Sequence, residues 1–271
     1  MTAARIHHLN CGTMCPRLAR GLEMVCHVVL IETAADGLVL VDTGLGTADL
    51  ADGGRRLGRM FLGMVGPRLD PAEPAIARVR ALGHRPEDVR HIVVTHLDLD
   101  HAGGIGDFPW ATVHVHAREL AAARARASFL ERHRYLTAQF AEHATWQEYS
   151  DEGDDWHGLR GIRALGGLGD AAMLVPLFGH TRGHSGVAVK NGERWLLHAG
   201  DAYFHRRELE VKDGAPAMLR WFQRVVEIDG PARRSNQDRL RELGKGGAPI
   251  DIFCAHDRVE LERLARAADP S

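Results

Sequence analysis

Four ionisable residues crowd into six positions directly behind an apolar, β-branched run: His91 to Thr95 (HIVVT) is followed by His96-Leu97-Asp98-Leu99-Asp100-His101-Ala102-Gly103-Gly104. Side chains alternate along an extended chain. If the strand continues, His96, Asp98 and Asp100 share one face and the two leucines take the other. His101 comes next, and Gly103-Gly104 lets the backbone turn sharply to bring it in. Solvation of a polar strand end does not call for such a pattern, because carboxylates and imidazoles packed together without a cation suffer repulsion and desolvation. The segment therefore predicts a metal centre at a strand end. Imidazoles and carboxylates together suit zinc, iron, manganese or cobalt, and the absence of thiols argues against a soft-metal site.

Composition bounds the rest of the chain. With 271 residues, 45% apolar and 26% charged, and no Pro/Gly/Ser-rich linker, it reads as one globular domain with a sizeable core. The formal charge of −2 supplies no whole-molecule field to gather phosphate backbones or acidic membranes, which disfavours a nuclease. Cys11, Cys15, Cys26 and Cys254 are too scattered for a disulfide framework, and the CxxxC of Cys11 and Cys15 has no second pair to complete a zinc site. They are read as free thiols in a reducing compartment. The N-terminus lacks the apolar core of a signal peptide, and no apolar run approaches the roughly 18 residues of a membrane span. The expectation is a cytoplasmic protein with a small-molecule substrate and neither a nucleic-acid nor a membrane partner.

Apolar runs at Val25 to Thr33 and Gly37 to Val41 suit a hairpin, and further strands are predicted at His91 to Thr95, Thr112 to His116, Met173 to Phe178, Gly186 to Lys190, Trp195 to Ala199 and Ile250 to Ala255. Helical spacing predicts helices over Ala72 to Leu82, Ala217 to Val226, Ser235 to Leu243 and Val259 to Ala267. Arg118 to about Gln147, rich in Ala, Arg and Glu without Pro or Gly, reads as helical, with Arg124, Arg126, Arg132 and Arg134 on a solvated face. A helical insertion is expected over residues 118–160. Among the other histidines, His114 and His116 are read as straddling the faces of one strand, and His198 and His205 as candidates to support the site. Strand hairpins followed by mixed helices and strands argue for a mixed α/β protein with sheets packed under helices.

The segment from His96 to His101 resembles the HxHxDH signature of the metallo-β-lactamase superfamily, and the later motifs follow in order. Asp42-Thr43-Gly44 ends the second run, Gly179-His180-Thr181-Arg182-Gly183-His184 is similar to GHTxGH, Gly200-Asp201 closes a strand, and Ala255-His256-Asp257 lies near the C-terminus. The resemblance spans about Cys26 to Asp257. It implies a single-domain α/β (α+β) fold, a four-layer αββα sandwich. It also implies two divalent transition metals per chain, zinc first, with iron or manganese as alternatives. By the family pattern His96, Asp98 and His180 would hold the first metal, Asp100, His101 and His256 the second, and Asp201 would bridge them. His184 would support the site, and Asp42 would fix a ligand imidazole in its tautomer. Asp98 departs from the pattern, which has histidine there. A carboxylate at this position occurs in the iron-binding flavodiiron branch, but nothing in this chain fills the role of that branch's flavodoxin module.

Two such metals would share and acidify a water and present it to an electrophile, so the implied reaction is hydrolysis, with Asp100 protonating the leaving group. The chain's length and its ending Phe253-Cys254-Ala255-His256-Asp257 resemble the N-acyl-homoserine lactonase branch, which predicts an ester, lactone or thioester substrate. Phosphodiester hydrolysis and iron-dependent redox chemistry are the alternatives. In that branch a tyrosine often stands three residues after the bridging aspartate; here that position is Phe204, with Tyr203 before it. The apolar stretch Arg59 to Val65 serves either as core or as one wall of an acyl pocket, since methionine adapts to irregular apolar surfaces.

Overall fold

The computed structural model describes residues 5–17, 21–33, 36–143, 145–168 and 172–268. Among these, two six-stranded sheets stack face to face. The first runs in chain order: β1 (Arg5–Met14), β2 (Met24–Glu32), β3 (Leu38–Val41), β4 (Val89–Val93), β5 (Thr112–His116) and β6 (Trp146–Tyr149). Its first three strands pair antiparallel and the rest parallel. The second holds β7 (Asp154–Trp156), β8 (Leu159–Ala164), β9 (Ala172–Pro176), β10 (Ser185–Asn191), β11 (Arg194–His198) and β12 (Ile250–Phe253), with only the β11–β12 pair parallel. The helices are α1 (Thr47–Ala51), α2 (Gly53–Arg56), α3 (Gly58–Val65), α4 (Ala75–Ala81), α5 (Leu99–Ala102), α6 (Ala117–Ala125), α7 (Phe129–Arg134), α8 (Arg207–Glu210), α9 (Ala217–Val226), α10 (Gly230–Lys245) and α11 (Arg258–Ala268). None is long and apolar enough to cross a membrane.

Period-two alternation builds the layers. On β2 and β3, Val28, Leu30, Leu38 and Leu40 face outward onto Ile76 and Val79 of α4, while Val29, Ile31, Val39 and Val41 face inward against Leu174, Val187 and Leu196 of the second sheet. The outer face of that sheet packs Val175, Ala188, Leu197 and Ile252 against Leu240 of α10. Both faces of both sheets are covered, which gives the helix-sheet-sheet-helix order and explains strands that read as continuous apolar runs.

Several sequence expectations need correction. The chain does not stay extended through Asp100: β4 ends at Val93, and Leu99–Ala102 is one turn of helix. Residues 118–160 do not form a helical insertion throughout, because α6 stops at Arg126, held in the left-handed region at φ 46°, and β6, β7 and the start of β8 fill the later part. Ser128 and Glu131 then form a reciprocal capping box that starts α7. His114 and His116, two apart, share one face of β5 opposite Val113 and Val115. Arg134 is buried, not solvated.

Candidate metal centre and pocket

The loops after β3, β4, β9, β11 and β12 emerge at one end of the sandwich and carry Asp42, His96 to His101, His180, Asp201 and His256 respectively. All are buried except Asp100, which is partly exposed. Tight turns make this convergence possible. Gly200 sits at φ 53°, and a Cβ there would lie 2.6 Å from His184 Nε2. Gly103 has an ordinary helical φ; it is glycine because a Cβ would meet the Gly44 carbonyl at 2.6 Å.

Two groups of ligand-type atoms result, His96 with His180 and Asp201, and Asp100 with His101 and His256. Asp201 stands between them. Its Oδ1 lies 3.3 Å from His101 Nε2 and 3.1 Å from His256 Nε2, while Oδ2 lies 3.3 Å from His180 Nε2 and 3.8 Å from His96 Nε2. Asp98 turns Oδ2 toward the first group, 3.1 Å from His180 Nε2 and 3.5 Å from His96 Nε2. Asp100 Oδ2 is 3.8 Å from His256 Nε2.

Hydrogen bonds behind the cluster fix which nitrogen of each ring is free. Asp42 Oδ2 accepts from His101 Nδ1 at 2.8 Å and from the Thr95 hydroxyl at 2.8 Å, and Thr95 Oγ1, its proton so used, accepts from His96 Nδ1 at 2.9 Å. His256 Nδ1 donates to the Val25 carbonyl at 2.9 Å. With Nδ1 occupied, these three rings turn Nε2 to the centre, the nitrogen whose lone pair a bound metal would take. Of the two histidines in the GHTRGH segment, His180 turns Nε2 inward. His184 instead donates Nδ1–H to the Leu177 carbonyl and accepts the Asp201 amide at 2.8 Å, so it positions that aspartate. His198 accepts the Gly200 amide one residue before Asp201, whereas His205 bonds the Arg207 amide away from the cluster.

The electrostatics follow from burial and charge. Burial alone would raise the Asp201 carboxyl, but His256, His101 and His180 around it hold it well below the usual carboxylate range. Burial likewise works against a charged His101, and the carboxylates of Asp201, Asp42 and Asp100 overcome it, holding that ring well above its ordinary value. His96 Nε2, His101 Nε2 and Asp201 Oδ1 are buried without a hydrogen-bond partner among the described residues. Unpaired buried polar atoms of this kind are costly, and a divalent cation, displacing the proton from His101 Nε2, would be the partner that satisfies them together.

Two functional residues escaped the sequence reading. Glu119, fully buried on α6, accepts from the Leu97 amide, the Thr181 hydroxyl and the Gly183 amide, and so ties the two ligand-bearing loops to each other. Arg134, at the end of α7, places Nε 3.3 Å from Asp98 Oδ1 and donates to the His180 and Val226 carbonyls. Asp98 is thus an aspartate with a guanidinium behind it. No short-range pattern marks either residue, since their partners lie 22 to 92 positions away.

Above the cluster opens a pocket of about 160 Å³ walled by Met24, Phe61, Met64, Leu99, Phe204 and Phe222, with Asp98, Asp100, His180, Asp201 and His256 at its floor. The Arg59 to Val65 stretch, as α3, supplies Phe61 and Met64 to this wall. Phe204 stacks edge-on to His256 with ring centroids 5.0 Å apart. Tyr203 points the other way, its hydroxyl 3.1 Å from Glu260.

The sequence profile of the metallo-beta-lactamase superfamily matches residues 21–256. This chain belongs to that superfamily. It is 44% identical over 263 residues to a probable metallo-hydrolase of Mycobacterium tuberculosis, covering 97% of this chain and 83% of that protein. It is 27% identical over 256 residues to an N-acyl homoserine lactonase of Bacillus thuringiensis, covering 94% and 89% respectively. A solved N-acyl homoserine lactone hydrolase, holding N-hexanoyl-L-homoserine at its catalytic metal centre, superposes with a TM-score of 0.72 at 22% identity and covers 97% of each chain. In this superfamily member the αββα sandwich therefore matches the architecture of its relatives, and its metallo-hydrolase character is shared with them.

Proposed function

We propose that this protein is a metal-dependent hydrolase of esters, lactones or thioesters that carry an apolar acyl group. One observation carries the reading: a buried cluster of imidazoles and carboxylates, its Nε2 atoms converging, forms the floor of a pocket whose walls are Met, Phe and Leu. His96, Asp98 and His180 would hold one divalent cation, Asp100, His101 and His256 a second, with Asp201 shared. Cations bound there supply Lewis-acid polarisation of a carbonyl and a nucleophile at neutral pH.

The chain's own residues do the rest. Phe61, Met64, Phe204 and Phe222 bind the acyl group and exclude water from it. Asp100, the most exposed carboxylate of the cluster, moves a proton to the leaving oxygen of an ester or lactone or to the leaving sulfur of a thioester. Phe204 brings no hydroxyl to the carbonyl. Orientation of the acyl group falls to shape instead of to a side-chain hydrogen bond. The walls also speak against phosphodiesters, because Arg134, the one arginine lining the pocket among the described residues, is engaged with Asp98.

Side-by-side assays of the metal-loaded protein test the reading. A lactone or acyl thioester should exceed a phosphodiester in kcat/KM by at least about tenfold, roughly 1.4 kcal/mol of transition-state stabilisation. The reverse order would overturn it.

A further inference from the structure

The pocket mouth has an unusual rim. Met60, Met218 and Trp221 line the pocket yet stay 54%, 42% and 51% exposed. On α9, Met218, Trp221 and Val225 recur at i, i+3 and i+7 as one outward stripe, while Leu219, Phe222 and Val226 line the pocket. An ordinary surface helix keeps its apolar residues on the buried face; α9 also exposes Met218, Trp221 and Val225, beside the polar face that carries Arg220 and Arg224. Phe129, 67% exposed at the start of α7, adds to the same side of the molecule, next to the pocket-lining Leu130 and His133. Contiguous exposed apolar surface around an opening marks a binding face.

The charges on these helices have one sign. α3 contains the exposed Arg59 and no acid, whereas Arg220 and Arg224 of α9 turn to a separate polar recess that they share with Glu208, Asp213 and Asp238. On α7, Arg132 is exposed, while the lone acid Glu131 is buried and paired with Arg182. Arg59 and Arg132 have no carboxylate within 4.0 Å among the described residues, and Arg224 has only the exposed Asp213 at 3.9 Å. The chain as a whole carries −2, so this basic rim is a local feature that whole-molecule charge conceals.

Two occupants could cover such a face. A second copy, joined about a two-fold axis, would set arginines of the rim against arginines, since the same patch meets itself. An anionic lipid surface meets both features at once: acyl tails take the apolar stripe, and headgroups take the guanidinium groups. We propose that the pocket mouth docks on anionic lipid surfaces, so that apolar-tailed substrates enter the pocket from the lipid phase. The second clause rests on the acyl-hydrolase reading; the docking itself does not.

The test uses the full metal-loaded chain and sedimentation with phosphatidylcholine vesicles, with or without about 30% phosphatidylglycerol. Binding to the anionic vesicles is expected, at least tenfold weaker on pure phosphatidylcholine, and falling as salt rises from about 0.05 to 0.5 M. Arg59→Glu/Arg132→Glu should bind the anionic vesicles at least tenfold more weakly while turning over a water-soluble short-chain ester within twofold of the unaltered chain. Brominated lipid should quench tryptophan emission in the unaltered chain and much less in Trp221→Phe. Absence of vesicle binding, binding indifferent to headgroup charge, or a concentration-dependent dimer abolished by Trp221→Asp would each overturn the proposal. Failure on every acyl substrate with vesicle binding intact would instead remove the hydrolase reading and leave the docking face standing.

Discussion

Replacing Asp98 by histidine, the residue common at that position in the superfamily, looks conservative on sequence and is predicted not to be. Asp98 Oδ1 and Arg134 Nε are 3.3 Å apart, and both residues are buried. At an effective dielectric of about 20 their attraction is roughly 5 kcal/mol, and removing one partner of a buried pair typically costs about 3–5 kcal/mol. Arg134 keeps its bonds to the His180 and Val226 carbonyls, which places the expected loss at the lower end, about 3 kcal/mol. Asp98→His should lower unfolding free energy in urea by that amount in chelator-treated protein, where metal binding does not contribute. Arg134→Met should do the same by stranding the carboxylate. The double variant Asp98→His/Arg134→Met should lose at least about 1.5 kcal/mol less than the sum of the two, because each change removes the other's penalty. Additivity within about 0.5 kcal/mol would refute the reasoning. The pair also bears on the metal. An aspartate in place of histidine adds one negative charge to the centre, and Arg134 returns one positive charge beside it, so the net charge at this position equals that of the imidazole it replaces.

The remaining predictions address metal content, loop anchoring and pH. Elemental analysis should find about two transition metals per chain, and His101→Ala or His256→Ala should each retain about one; unchanged stoichiometry in both would remove the assignment. Glu119→Ala strands the Leu97 and Gly183 amides and the Thr181 hydroxyl, so urea unfolding should show a loss of about 3–5 kcal/mol with partial recovery in Glu119→Gln, and a loss under about 1 kcal/mol would contradict the anchoring role. Burial pushes the Glu260 carboxyl from 4.5 up to about 7, against the Cys254 amide that bonds its charged form. The folded chain then binds more protons than the unfolded one between those pH values, so this group lowers stability as pH rises through that window, by up to about 3 kcal/mol. Glu260→Gln should flatten that part of the stability profile, and an unchanged slope would count against the shift.

Strands buried on both faces were legible because apolar, β-branched residues dominate them: β2, β10 and β11 fall within a residue or two of their expected bounds, and Thr112–His116 matches its own. Ala217–Val226 matches its bounds for another reason, the helical spacing of its apolar residues. β1 was not legible, because it is an edge strand whose half-buried residues His7, His8 and Asn10 put polar groups on both faces, so no apolar period shows. β6 and β7 failed for the same reason at the opposite edges of the sheets, where polar Trp146–Tyr149 and Asp154–Trp156 pair without burying both faces. The break between α6 and α7 had a visible signal, since Ser128 and Glu131 stand at capping-box spacing within a stretch read only for its helical composition.

The cluster itself was legible for a different reason. Ligands must be particular residue types, and a tight loop such as His96 to His101 keeps several of them consecutive, so the chemistry survives in the string even where the backbone was misjudged as extended. What holds the ligands has no such restriction. Any chain position whose side chain reaches the loop can supply the carboxylate of Glu119 or the guanidinium of Arg134; composition marked the first only as part of a helical stretch and put the second on a solvated face. Asp98 offered the one clue: a carboxylate where a neutral ring is usual implies a compensating cation nearby, either the metal or a basic residue. Charge balance at the anomalous position called for an arginine, and helical composition hid it among four. An unusual charge in a motif is therefore a reason to search the whole chain for its counter-charge before inferring a change of metal.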